Sequence, residues 1–534
     1  MRLTTIFLTT LISAGALGCE GDPGPTGSAG PAGPAGPAGG LDPSATAIDK
    51  AFTGLGGRDA VATLASFQFR ATGERLVTLE GFAPEDDSSV TSTFTADVTA
   101  DVTGDRLRIA YQRKLLFFGP TTSYRVIVKG NVGVVDGIES AFGAPGGPMP
   151  SDRWAATVQQ HRLLNPQLLL RDVALGKATA TDAGLALRDG ELRHQIDIAN
   201  DVHPISLFVD RNTGEITDLA TLQNDFVTGD VKLEVHYASW QSSDGKVRFP
   251  ADVVLAVDDQ IWHSERRTSV TTKVALDDAQ FAFPAGAAPS YVAADAARGA
   301  RHGEFHEAFA GIGVPLDGLQ TTIDAKLLAT GVWHLRGGSH NSLVVEQAAG
   351  VVIVDAPLYE ARAQAIFDWL AINIPGKPVT DVVLTHHHRD HVGSLRTFVA
   401  RGAKVVIGEA ARPLFGRTLK AAHTIEPDEL TAAPRTATFI TVPAGDEITL
   451  ADATRPVRVL AIDSTHAADM VVAYTPNQRV LFVTDIYSPG LPPNPAGARE
   501  VRDAVLARGL AIDTIAGGHG VSGPRADLDT AAGL

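Results

Sequence analysis

The chain has one cysteine in 534 residues, Cys19. Without a second thiol no internal disulfide can form, so stability must come from hydrophobic cores and from bound metal. Cations are also scarce. The 45 Lys and Arg residues against 61 Asp and Glu leave a formal net charge of −16. A surface of that sign repels phosphate backbones, which excludes nucleic acid as an expected partner. Long apolar runs are missing too. The one at the start, residues 3–17, is too short to anchor stably across a bilayer. What is present, 44% hydrophobic and 20% charged residues, is enough for more than one globular core. The length suggests roughly two to four domains.

Arg2, the short apolar run and the small residues after it read as an export signal over residues 1–18. Cys19 follows Ala16-Leu17-Gly18, which resembles a bacterial lipobox. The resemblance implies cleavage before Cys19, lipidation of its thiol and new amine, and anchoring to a bacterial membrane. Glu20 stands where inner-membrane retention signals place Asp, so the resemblance favours the outer membrane, with the protein facing the periplasm or the cell surface. Glycine then recurs at 21, 24, 27, 30, 33, 36 and 39, the collagen period. Six triplets are few for a stable triple helix. Residues 19–44 are read as an extended spacer, with weak trimerisation as the alternative.

Residues 45–290 follow a period of two. Phe94, Ala96, Val98, Ala100 and Val102 alternate with Thr95, Asp97, Thr99 and Asp101; Val231, Leu233, Val235 and Tyr237 alternate with Lys232, Glu234 and His236. Alternation broken by turns such as Gly104-Asp105 predicts a mainly antiparallel sheet with one buried face. One helical stretch is expected near 152–170. Leu55-Gly56-Gly57-Arg58-Asp59-Ala60 and the strands after it are similar to the curved-sheet domains of LolA-type lipoprotein carriers. No catalytic constellation occurs here. In the connector, 291–320, His302 and His306 are four apart but have no further ligand nearby, so they are read as a surface pair.

From 321 to 528 the pattern becomes α/β. Residues 343–345 and 351–354 are β-rich around a turn at 347–350, and 360–370 reads as an amphipathic helix. Asp381-Val382-Val383-Leu384-Thr385 is a buried strand that runs into His386-His387-His388-Arg389-Asp390-His391. A helix is expected from 393 to 401. Extended residues two apart point the same way, so His386 and His388 can converge on one metal, while the turn after them swings Asp390 and His391 elsewhere. Imidazole nitrogen and carboxylate oxygen suit zinc, and also iron or manganese.

The run His386-x-His388-x-Asp390-His391 at a strand end resembles the signature of the metallo-β-lactamase superfamily. Three further motifs follow in the family's order: His466 in Ser464-Thr465-His466, Asp485 after Val480-Leu481-Phe482-Val483-Thr484, and His519 in Gly517-Gly518-His519-Gly520. The resemblance implies an αββα sandwich with two divalent metal ions. It implies that His386, His388 and His466 hold the first ion, that Asp390, His391 and His519 hold the second, and that Asp485 bridges them. It also implies a role for Asp355 in supporting the histidine loop. The segment Gly337-Gly338-Ser339-His340-Asn341-Ser342 falls where the family has a glycine-rich hairpin near the active-site mouth, and His340 is read there as a loop histidine, with substrate contact as the alternative. His387 and Arg389, at the variable positions, are expected at the rim. Tyr487 is divided between packing and substrate contact.

Two cations sharing one water lower its pKa, so hydroxide is available near neutral pH without a serine or cysteine nucleophile. Asp390 is the candidate to position that nucleophile or move its proton. An aspartate at 485 with His391 beside Asp390 is similar to glyoxalase II, lactonase and phosphodiesterase members, which implies a small-molecule ester, thioester or lactone as substrate. Two other classes stay open. One is an iron-dependent oxidoreductase of the same fold. The other is a non-enzymatic lipoprotein that binds an apolar ligand in the N-terminal sheet.

Overall fold

The computed structural model describes residues 44–116, 121–139, 146–200, 203–301 and 321–533. The export signal, Cys19, the Gly-X-Y segment, His302 and His306 lie outside the described residues. Among the described residues, no helix is long and apolar enough to cross a membrane.

Twelve strands between Ser66 and Thr271 form one antiparallel sheet. The first, Ser66–Val77, runs beside the second, Ser89–Asp101, and also pairs with the twelfth, Gln260–Thr271. The chain therefore enters and leaves the sheet at its middle, with the other strands fanned out on both sides. The alternation holds for the apolar face, although Thr99 and Asp101 of the other face are buried as well. Phe94, Ala96, Val98 and Ala100 are buried and Asp97 is exposed. Helices Ala47–Gly54, Ser151–Leu164 and Pro166–Ala174 pack on that apolar face through Phe52, Leu163, Leu169 and Leu170. The single helix expected at 152–170 is two. Pro166 supplies no amide to continue the first and suits the first turn of the next. Asn165 between them turns its side-chain amide back onto the His161 carbonyl at 2.7 Å.

The C-terminal region stacks two sheets. Seven strands, from Asp324–Ala329 to Phe439–Val442, lie side by side in chain order, antiparallel at first and parallel from Val351–Val354 onward. Six more, from Glu447–Leu450 to Ser522–Pro524, form the second sheet. Val345, Val354, Val383 and Val406 of one meet Val459, Val471, Ala473 and Phe482 of the other. Their opposite faces are covered as well. Ile353, Val382 and Val405 pack under Ile366, Leu370 and Phe398; Val472, Leu481 and Ile515 pack under Ala498, Val501 and Val505. Strands buried on both faces carry continuous apolar runs, which is why Val351-Val352-Ile353-Val354 and Val480-Leu481-Phe482-Val483 show no alternation. The result is the αββα sandwich.

The regions pack into one unit. Phe226 and Val227, in the turn after strand Ile216–Asp225, join the helical-side core of the sandwich. A side chain of that size is worth about 1.5–3 kcal/mol when buried. Phe226 also presses on Gly393, where any Cβ would strike it and the Leu358 carbonyl. That contact marks the break between the short helix Arg389–Val392 and Leu395–Ala400, the helix expected over 393–401. Asp230 fastens a second point by accepting from the Thr424 amide and hydroxyl.

Candidate metal centre

Strand Val379–Val383 carries the chain to the gap between the two sheets, and His386 to His388 follow a bend at Thr385. His388 caps the short helix Arg389–Val392 with φ −58° and ψ 138°. His386 and His388 share a face, with ring centres 4.4 Å apart, and His466 stands 5.0 and 4.5 Å from them. The helix turns Asp390 and His391 the other way, where His391 and His519 lie 5.1 Å apart. Asp485 sits between the groups. Its Oδ2 is 3.4 Å from His386 Nε2 and 3.1 Å from His466 Nε2; its Oδ1 is 3.0 Å from His391 Nε2 and 2.9 Å from His519 Nε2. Asp485 and Asp355, each just past a strand, adopt left-handed φ of 50° and 65°. Such conformations are costly for side-chain-bearing residues and cluster at functional sites.

The ring orientations follow from the outer partners. Carbonyls only accept, so His388 Nε2–H donates to Gly81 at 2.9 Å and His519 Nδ1–H donates to Ser339 at 2.8 Å. Asp355 accepts from the Thr385 amide at 2.9 Å and from His391 Nδ1–H at 3.0 Å. The inner nitrogens, His388 Nδ1, His391 Nε2 and His519 Nε2, are left facing the centre with lone pairs available when the rings are neutral.

These residues fit two divalent cations. The donors fall into two groups, His386 with His388, His466 and Asp485, and His340 with Asp390, His391 and His519. His386 Nε2 and Asp390 Oδ1 are buried with no hydrogen-bond partner. A buried polar atom left so is costly unless something binds it. Charge points the same way. Burial, with His386 and His466 close by, holds His388 well below the ordinary histidine range, in the neutral form a metal needs. Burial would raise Asp485, but His391 and His519 hold it well below the ordinary carboxylate range. Burial would likewise lower His391, yet Asp485 and Asp390 hold it well above its ordinary value.

All seven expected ligands therefore converge on one centre, and Asp355 stands behind His391. Other expectations change. His340 is no bystander. It is buried, its Nε2 is 2.9 Å from Asp390 Oδ2, and burial beside His519 lowers it to about 4. His387 and Arg389 are not at the rim. Both are buried, because strand ends here are covered by the N-terminal region as well as by the sandwich. His387 pairs with Asp469 at 2.6 Å; Arg389 pairs with Asp225 and takes the Thr78 hydroxyl as acceptor at 2.8 Å. Tyr487 packs in the core under the second sheet. The centre opens on the side of His466 and His519, which are 31% and 20% exposed, while His386 and His391 are fully enclosed.

Sequence reading missed residues 78–82 of the N-terminal region, which lie against the centre. Leu79 packs on the sandwich core, Gly81 orients His388, and the Phe82 carbonyl accepts from the Ala468 amide at 2.7 Å. Glu80 Oε2 lies 3.4 Å from His388 Nδ1, with its side chain only 8% exposed. Burial, with Asp390 and Asp485 nearby, pushes Glu80 well above the ordinary carboxylate range. The one hint in the sequence is the break in alternation after Val77.

The family model of the metallo-beta-lactamase superfamily matches residues 335–519. Among curated proteins, the chain is 39% identical over 57 residues to hydroxyacylglutathione hydrolase from Pseudomonas syringae pv. syringae, covering 11% of this chain and 22% of that protein. It is 23% identical over 154 residues to the alpha subunit of 2,4-dinitroanisole O-demethylase from Nocardioides sp., covering 29% of this chain and 43% of that protein. The chain thus spans less than half the length of either relative. A solved metallo-beta-lactamase from Pontibacter korlensis is 18% identical, with TM-score 0.31, covering 40% of this chain and 100% of its own. One from Hirschia baltica is 19% identical, with TM-score 0.32, covering 39% and 96%. With the matched segment running from the strand before His340 through His519, the C-terminal region is a metallo-beta-lactamase superfamily domain.

Proposed function

We propose that this chain is a hydrolase of a small ester, thioester or lactone that works through two divalent cations, zinc foremost. The observation that carries this reading is Asp485, whose two carboxylate oxygens each face a separate set of imidazoles within 3.4 Å. Two cations held by these residues would lower the pKa of a shared water and so make hydroxide available near neutral pH. The protein's own part is to place and hold. Asp390 stays ionised beside His391, and His340 Nε2–H donates to its Oδ2, which orients the carboxylate so that Oδ1 is presented to the second ion and to the water activated there. The opening beside His466 and His519 admits the scissile group. Phe82, half exposed on the neighbouring loop, offers an apolar surface for the remainder of the substrate. The likeness of a short segment to a hydroxyacylglutathione hydrolase supports acyl transfer to water as the reaction class.

The test is metal analysis of the purified full chain beside His388→Ala, followed by a panel of thioesters, lactones, aryl esters and β-lactams. About two zinc ions per chain are expected, with turnover on at least one acyl substrate that His388→Ala abolishes. Iron with oxygen uptake, or turnover unaffected by the substitution, would overturn the reading. The reading extends to location, an exported protein anchored through a lipidated Cys19. Mass spectrometry of the membrane-extracted N-terminal peptide tests it, and an unmodified Cys19 would end that part.

A further inference from the structure

The turn that divides the two ligand groups is gripped from outside the sandwich. Arg389 stands between His388, a member of the first group, and Asp390, a member of the second. We propose that Arg389 is a positioning residue for both ligands, and that the N-terminal region, through Asp225 and Thr78, thereby sets how tightly metal is held. The proposal rests on the two-cation reading above.

Three observations carry it. First, the chain changes direction at this residue. His388 has φ −58° and ψ 138°, and Arg389 opens the helix Arg389–Val392. A shift of Arg389 therefore moves a ligand of each group. A helix of four residues does not hold itself, since a single turn fixes several dihedrals for few hydrogen bonds.

Second, the Arg389 side chain is held by the N-terminal region. It pairs with Asp225, donates to Thr78 Oγ1 at 2.8 Å, and lies over the rings of Phe226 and Trp262, each at 5.3 Å. The guanidinium is a rigid planar fork, so two bonded donors fix its plane. Asp225 is itself fixed and fully buried. Its Oδ1 accepts from the amides of Val227 and Thr228 at 2.9 and 2.8 Å and from the Thr228 hydroxyl at 3.0 Å.

Third, the same segment reaches the other end of the helix. Phe226, next to Asp225, presses on Gly393, where the helix stops. The sandwich meets the helix through its backbone, with the Leu358 and Ala356 amides donating to the carbonyls of Asp390 and His391 at 2.9 and 3.2 Å. The side chain between the ligands is left to the N-terminal region. The joint of Asp230 with Thr424, by contrast, involves no residue adjacent in sequence to a ligand.

The experiment is metal titration of the full-length apo-protein, wild type beside Asp225→Asn, Arg389→Lys and Asp230→Ala. Zinc is titrated in competition with a chromophoric chelator, cobalt(II) is followed by its visible absorption, and unfolding of each apo-protein is measured alongside. Asp225→Asn should bind zinc about 10- to 100-fold more weakly, the range seen when groups behind metal ligands are removed, with an altered cobalt spectrum. Arg389→Lys keeps a cation for Asp225 but not the fork, and should fall between Asp225→Asn and wild type. Asp230→Ala should unfold more easily yet keep the wild-type affinity and spectrum. Wild-type affinity and spectrum in Asp225→Asn would overturn the proposal and leave the pair a joint that adds stability alone. If Asp225→Asn does not fold, the same result in Arg389→Lys overturns it. Equal weakening in Asp225→Asn and Asp230→Ala would overturn it too, because any loosening of the regions would then act on the metal. In each of these cases, two ions bound to wild type leave the hydrolase standing. A wild type that binds no metal would overturn both readings.

Discussion

The N-terminal sheet and the C-terminal sandwich use strands in opposite ways. In the sheet, one face is apolar, so strands such as Arg106–Leu115 and Thr121–Lys129 alternate over much of their length, and chemistry-bearing residues are spread along them. In the sandwich, both faces of the central strands are buried, so the strands are apolar throughout and polar function is pushed to their ends. His386, Asp485 and His519 all stand within a few residues past a strand for that reason. Yet the sheet also reaches the centre, through loops rather than strand ends. The comparison separates what builds the site from what completes it.

Removing the bridge between the two ligand groups should have the largest effect. Asp485→Asn is expected to lower turnover by about three orders of magnitude, equivalent to about 4 kcal/mol, with loss of metal measured by elemental analysis. Retained metal and turnover would mean that the sandwich does not need its bridge.

Next comes the joint between the regions. Arg389→Ala leaves Asp225 buried without its cation, which costs about 3–5 kcal/mol, read by denaturant unfolding. Asp225→Asn in the same background should restore part of the loss. A cost near zero would mean that the regions are only loosely joined.

Asp355→Asn touches no metal but leaves one acceptor oxygen where two served the Thr385 amide and His391 Nδ1–H, and sets an NH2 against the other donor. A 10- to 100-fold weaker metal affinity is expected, with unfolding of the apo-protein changed far less than by Arg389→Ala.

The smallest effect is one of pH. Burial alone would raise Asp225, but Arg389 and the amides of Thr228 and Val227 hold it below its ordinary value. A depressed folded pKa adds stability that is whole above the unfolded value, about 3.9, and drains as pH falls toward the folded one. Stability should therefore fall on acidification below about pH 4, with a shallower slope in Asp225→Asn. An equal slope in both would remove Asp225 from the acid response.

Much of the site could be read in the sequence because it is local. His386, His388, Asp390 and His391 sit within six positions, and His466, Asp485 and His519 each follow an apolar run. The sandwich was legible for the same reason, since buried parallel strands separated by helices leave a strong pattern. What could not be read depends on distant parts of the chain. His340 lies in a glycine-rich loop with no periodicity to place it. Arg389 occupies a position covered by the N-terminal region and His387 one closed by Asp469 of the sandwich, so neither side chain gave a sign of being covered. Glu80 stands in a turn near Glu85, Asp86 and Asp87, where acidic residues ordinarily face water. The division of the expected helix at Pro166 was marked in the sequence by the proline itself.

The hydrogen bond from His388 to Gly81 joins residues 307 positions apart. Closing a loop of that length costs entropy that is recovered only once the contacts at its ends have formed, and such long-range contacts slow folding. The histidine ring is thus turned to its working orientation by a segment that must dock from the far side of the chain. The orientation of that ring is therefore a property of the whole folded chain, and the C-terminal region by itself does not supply the carbonyl that fixes it.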